Sequence, residues 1–324
     1  MLHSRPRDAR VVPSTPELLF DGAHLQLIHL PGLAPMTVIS FDIMHARANG
    51  RNAFARKLCQ SNGLTLLGIV PKYPCWYPEA EMQQIAALCR DLIRGTAIAY
   101  GASMGGYGAL RWGRLLGAER ALACSPQFTI DPAVTGTEDR RYGAHFSARH
   151  HAGMQVRNEH VPPGSMALFD PHFRPDRFQA RLARGLSHLQ ALPLPHMAHG
   201  TAGCLRGSVP AMAAFDCLLN GDPGALHRLC LRRRRQTDTY FLELAATALR
   251  RHRPDLAKTL ATRASQANPA GYHMLMARIA TQAGDPGQAE AEYLRVLACK
   301  PGHRIAEMRL EQIRARDLPI QHRN

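Results

Sequence analysis

Residues 97–110 read Ala-Ile-Ala-Tyr-Gly-Ala-Ser-Met-Gly-Gly-Tyr-Gly-Ala-Leu, an apolar run that breaks into Gly-x-Ser-x-Gly and then into small residues. A serine hydroxyl becomes a useful nucleophile when a base can take its proton and the chain presents it at a sharp turn. The spacing predicts a strand over residues 96–100, a tight turn holding Ser103 in strained backbone geometry, and a helix leaving from about residue 105. Gly101 and Gly105 then follow from sterics, because side chains there would collide with the strand and helix that the turn brings together. Such a turn lifts Ser103 Oγ clear of the sheet and aims the Met104 N–H at the space where an oxyanion would form. The chemistry on offer is acyl transfer.

The segment Tyr-Gly-Ala-Ser-Met-Gly-Gly-Tyr-Gly-Ala-Leu resembles the nucleophile elbow of the α/β-hydrolase superfamily, with looser similarity over roughly residues 22–222. That resemblance implies a doubly wound, mostly parallel α/β sheet and a chain order of serine, acid, histidine. The acid follows a late strand and the histidine follows the last one. Asp170, at the end of the apolar run 166–169, is the favoured acid, since catalytic groups project from strand ends. Asp176 competes with it, although an aspartate there also suits the cap of the helix that follows. His199, next to Gly200 and before a helix, is the favoured base over His196, which lies nearer the strand and could line the pocket. The base would take the Ser103 proton, and the acid would fix its tautomer and stabilise the imidazolium.

Beside Met104, a second oxyanion donor is expected in the loop after residues 36–41, with the amide of Asp42 or Ile43 as candidates. The His-Gly-Gly-Gly signature that often supplies it is absent. Trp76 and Tyr77, in a proline-rich loop, could form an apolar or sugar-stacking wall, or simply pack at a turn. Gln127, at another strand end, could contact substrate. Arg141 could meet a substrate carboxylate.

These residues need elements to hold them. Short apolar runs at 25–30, 36–41, 64–70, 96–100, 120–124, 166–169 and 189–194 alternate with helical stretches, the pattern of a sheet covered on both faces. Residues 1–21 read as an N-terminal extension and 22–222 as the α/β domain. Within it, 128–164 lacks periodicity and is expected to form a lid or substrate loop. Residues 223–324 turn to Ala, Leu and Arg with helical spacing. Met276, Ala277, Gly284, Asp285, Ala289, Tyr293 and Pro301 fall at the spacings of a tetratricopeptide-like repeat, and 238–269 reads as a degenerate copy with His252 where Gly284 stands. The expected architecture is therefore an α/β sheet domain followed by a small all-α helical-repeat domain. So few hairpins cannot bury their own faces, so a protein partner for the repeats is expected.

Composition sets the remaining bounds. The 324 residues carry 40 Lys+Arg against 25 Asp+Glu, a net charge of +15, with the cations scattered apart from Arg232 to Arg235. No nucleic-acid motif accompanies them, so nucleic acid is not an expected partner. The eight cysteines include no Cys-x-x-Cys, which points to reduced thiols, no metal cage and a reducing, cytoplasmic compartment. The N-terminus lacks an apolar stretch of the signal-peptide kind, and no run is long enough to span a membrane. No cofactor is called for. The expected activity is that of a carboxylesterase-like serine hydrolase acting on a small ester or acylated sugar, with an acyltransferase or a non-catalytic scaffold as its rivals.

Overall fold

A computed structural model describes residues 15–317. The N-terminal extension is outside the described residues for positions 1–14, but its last part forms a strand, β1 (Glu17–Asp21). The other strands are β2 (Leu25–Leu30), β3 (Met36–Phe41), β4 (Thr65–Pro71), β5 (Thr96–Ala102), β6 (Arg120–Cys124), β7 (Ser165–Phe169) and β8 (Leu189–Pro193). They form one eight-stranded sheet in the order β1-β2-β4-β3-β5-β6-β7-β8. The pairs β1–β2 and β2–β4 are antiparallel, and every later pairing is parallel. This is the doubly wound, mostly parallel arrangement that the resemblance implied, and a sheet with helices on both faces as the alternating apolar runs predicted.

The helices of this part are α1 (Arg56–Asn62), α2 (Glu79–Cys89), α3 (Met104–Trp112), the short α4 (Pro132–Thr135) and α5 (Ala148–His151), α6 (Arg174–Leu182), α7 (Ser208–Leu219) and α8 (Pro223–Arg233). Strand side chains alternate between the two faces, and on β2 to β7 both faces are largely buried. Ile39, Phe41, Ala97 and Ala99 join a cluster with Met82 and Ile85 of α2 and Tyr107 and Leu110 of α3. The intervening Tyr100 turns to the opposite face, its ring 5.2 Å from Phe215 of α7.

The chain divides into two compact units between Leu231 and Arg232. The second holds α9 (Asp238–Arg250), α10 (Pro254–Thr262), α11 (Pro269–Ala283), α12 (Pro286–Cys299) and α13 (Arg304–Asp317). Its cores are built on alanine: Ala245, Ala257 and Ala261 pack with Leu249 and Ile279, while Ala277 and Ala289 pack with Tyr293 and Val296. Gly284 ends α11 in the left-handed region at φ 76°. His252, at the matching place after α9, has φ 55°. All eight cysteines are free. Among the described residues no helix is long and apolar enough to cross a membrane.

Candidate active site

Ser103 sits between β5 and α3 with φ 54° and ψ −121°, a backbone strain of about 1–3 kcal/mol that the packing around it must hold. Its amide donates to Cys124 O on β6 at 2.8 Å, which ties the turn to the neighbouring strand. The flanking glycines are obligatory: a Cβ on Gly101 would lie 2.1 Å from Gly105 O, and one on Gly105 would lie 2.1 Å from Phe41 O. Helix α3 starts at Met104, one residue earlier than the spacing predicts, so the Met104 N–H is among the helix N-terminal amides that have no acceptor within the helix.

Ser103 Oγ lies 2.8 Å from His199 Nε2. On the other side of the ring, Nδ1 is 2.9 Å from both carboxylate oxygens of Asp176. With Nδ1–H donating to Asp176, Nε2 is left to accept the serine proton, which makes a continuous Ser103–His199–Asp176 chain. The expected contact between Asp170 and His199 is not formed. Asp170 instead accepts the amides of His172 at 2.8 Å, Met197 at 2.8 Å and Ala198 at 2.6 Å. It thereby bends the segment that carries the histidine, in which His196 and Ala198 both have positive φ. Asp176 is not the cap of its helix either: that place belongs to Phe173, and the carboxylate is free to turn inward, 1% exposed. His196 packs its ring 5.0 Å from His172.

The insertion between β6 and β7 reaches this chain with Arg141, which the sequence marked, and with Tyr142 and Asp139, which it did not. Tyr142 Oη is 3.2 Å from His199 Nε2, and its ring packs on Trp76 at 5.2 Å. Burial pushes the Tyr142 phenol above its usual range, so it stays a neutral donor. Arg141 Nη1 is 3.0 Å from Asp176 Oδ1, while Nε and Nη2 each meet Asp139 at 2.8 Å. Burial opposes the charge on Asp139, but its hydrogen bonds from Arg141 and Gln179 outweigh that and hold the carboxyl below its usual value. Tyr142 and Asp139 lie in a stretch without periodicity, where no sequence signal marks them.

The remaining candidates divide. Gln127 is completely buried, with Nε2 3.4 Å from Ser103 Oγ and Oε1 unpartnered, so it faces the Ser103 hydroxyl. Asp42 cannot offer its amide to an oxyanion, because that N–H donates to Ile69 O and prolongs the β3–β4 pairing. Its carboxyl, raised to about 6 by burial, accepts the Phe54 amide at 2.8 Å. Tyr77 is not at a mouth: it is 1% exposed, donates its hydroxyl to Asp42 O and sets its ring edge-on to Phe41. Trp76 is equally buried and serves as a backing plate for Tyr142 and His145. Both have positive φ, which places the strain in the loop that closes over the strand ends. Among the described residues no group of three or more His, Cys, Asp or Glu is arranged to hold a metal ion.

No family model and no curated protein matches the chain. Solved structures similar to it include a capsule O-acetyltransferase of Neisseria meningitidis serogroup A, at 13% identity over 62% of this chain and 93% of that one, with a TM-score of 0.45. An esterase of Pyrococcus furiosus matches at 14% identity over 64% of this chain and 88% of that one, with a TM-score of 0.41. The alpha/beta hydrolase domain-containing protein 10 from mouse matches at 13% identity over 64% and 99%, with a TM-score of 0.40.

Proposed function

We propose that this protein is a serine enzyme that cleaves an ester-type acyl bond through an acyl-enzyme on Ser103. One observation carries the reading: a strained serine at a strand-to-helix turn, 2.8 Å from an imidazole whose other nitrogen faces a buried carboxylate. His199 takes the Ser103 proton as Oγ attacks the carbonyl carbon and returns it to the leaving oxygen. Asp176 holds Nδ1–H and stabilises the imidazolium. The Met104 amide binds the oxyanion, and with Asp42 N–H committed to the sheet, the second donor is assigned to Ile43. Water then attacks the acyl-enzyme with His199 as base. A small ester or an acylated sugar is the substrate class.

A second reading differs only in the last step, capture of the acyl group by an alcohol. Tyr142 Oη favours it, because a hydroxyl already stands 3.2 Å from Nε2, where an acceptor oxygen must give up its proton. The second unit is read as tetratricopeptide-like repeats that engage a protein partner. The matching left-handed turns at His252 and Gly284 support the equivalence of its two hairpins.

A fluorophosphonate probe tests the central claim. The intact protein should be labelled at Ser103, and labelling should vanish in Ser103→Ala and His199→Ala; folded protein that resists the probe would return the chain to the scaffold reading. Ester hydrolysis across acyl lengths and acetylated sugars, with and without added alcohols, separates hydrolase from transferase.

A further inference from the structure

All three nitrogens of the Arg141 guanidinium are engaged within the protein. Nε and Nη2 meet the two oxygens of Asp139 at 2.8 Å, and Nη1 lies 3.0 Å from Asp176 Oδ1 and 3.1 Å from His199 Nδ1. Asp139 is 3% exposed and takes a further bond from Gln179 Nε2 at 2.9 Å. Gln179 is itself fixed, accepting the Phe128 amide at 2.8 Å and donating to Thr129 O at 3.0 Å. The guanidinium carbon lies 5.0 Å from the Tyr142 ring centre and 5.3 Å from that of Phe173. A rigid cation is therefore held against the carboxylate that serves the base.

An imidazole beside a lone buried carboxylate gains a strong reason to keep its proton, and a base that stays protonated cannot accept another. A fixed positive charge at hydrogen-bond distance opposes that tendency. We propose that Arg141, anchored by Asp139, is a positioning residue of the triad that orients Asp176 toward His199 and offsets part of its charge. The role replaces the one expected from sequence, contact with a substrate carboxylate. It rests on the Ser103–His199–Asp176 reading.

The groups facing His199 are Ser103 from the elbow, Tyr142 and Arg141 from the insertion with Asp139 behind them, and Asp176 with Phe173 from the start of α6. His196 of its own segment packs on His172, which follows β7. Charge alone then fixes the sign of two substitutions. Removing the cation in Arg141→Gln eases protonation of His199 and moves the acid limb of Ser103 labelling to higher pH. Removing the anion in Asp139→Asn leaves the cation uncompensated and moves it to lower pH.

The test measures fluorophosphonate labelling rate against pH for the full chain, beside an NMR titration of the His199 imidazole C–H, identified by its absence in His199→Ala. The limb should move by about one pH unit in opposite directions in the two variants, so that Arg141→Gln loses about tenfold at the acid side and recovers above it. Opposite shifts support the inference. Equal losses at every pH with an unmoved midpoint overturn it, as does a raised KM confined to anionic esters with an unmoved midpoint. Should Arg141→Gln not fold, Asp139→Asn and Arg141→Lys decide, the lysine keeping the midpoint near that of the parent. Labelling that survives in Asp176→Asn overturns the triad itself; labelling lost there with no shift in the Arg141 and Asp139 variants overturns this inference alone.

Discussion

Asp170 and Asp176 are both buried and both close in sequence to the end of β7, yet only Asp176 faces the imidazole. The rule that catalytic groups leave strand ends favoured Asp170, but three backbone amides had a prior claim on that carboxylate. The two should fail differently. Asp176→Asn should lose about 10³–10⁴-fold in turnover, because the wrong tautomer is then favoured. Asp170→Asn should unfold at lower temperature, costing about 2–3 kcal/mol as a buried charged acceptor is lost. Thermal melts run beside steady-state kinetics check both. Asp42 makes a third case. Burial raises its carboxyl from 3.8 to about 6, so the folded state binds its proton more tightly than the unfolded chain. That contribution to stability is present below pH 4 and lost as pH rises to about 6. Asp42→Asn, which can still accept the Phe54 amide, should raise the melting temperature at pH 8 and leave it unchanged at pH 4; an equal gain at both values would contradict the assignment.

At the level of elements, the sheet was legible because its strands are short apolar runs with helices between them, and the two faces follow from alternation. Strand β1 was not, since its apolar run is only three residues long, Leu18 to Phe20, and the strand is mostly exposed at the edge of the sheet, paired with β2 alone. The elbow was legible from its glycines, whose spacing is dictated by contacts under 2.5 Å that any side chain would make. The insertion was legible only as an interruption, since its order comes from scattered apolar anchors such as Phe128, Met154 and Val161 and from long-range polar contacts rather than from periodicity. Two histidines within it add a pH dependence. His151 accepts the Ser147 amide on Nδ1 and donates from Nε2 to Cys75 O, and His160 accepts the Arg157 amide on Nδ1. Each needs a neutral ring, and burial lowers both, His160 to about 4. A depressed histidine stabilises the fold above its unfolded value of 6.5 and loses that contribution as pH falls. Protection of the Ser147 and Arg157 amides, taken relative to their intrinsic exchange rates, should therefore fall below pH 6.5, and protection that stays constant across that range would refute the role of the two imidazoles.

Across the whole molecule, Ser103, Asp176 and His199 all belong to the first unit, although they are drawn from three separate stretches of chain. A chain ending at residue 231 should consequently keep fluorophosphonate labelling at Ser103, and the loss of it in soluble, folded protein would assign the helical unit a part in building the site. The sequence indicated both parts because their compositions differ, the second being built on alanine at helical spacing. It could not indicate how the loops over the sheet share out their polar contacts, since those depend on partners far away in the chain. The strand order also has a consequence for how activity is lost. Ser103, the proposed nucleophile, follows β5 in the middle of the sheet, whereas His199, the proposed base, follows β8, an edge strand paired with β7 alone. Edges fray before centres. In rising denaturant the base should part from the serine while most of the sheet is intact, so enzymatic inactivation would run ahead of the spectroscopic unfolding transition and report on the fraying of a single strand.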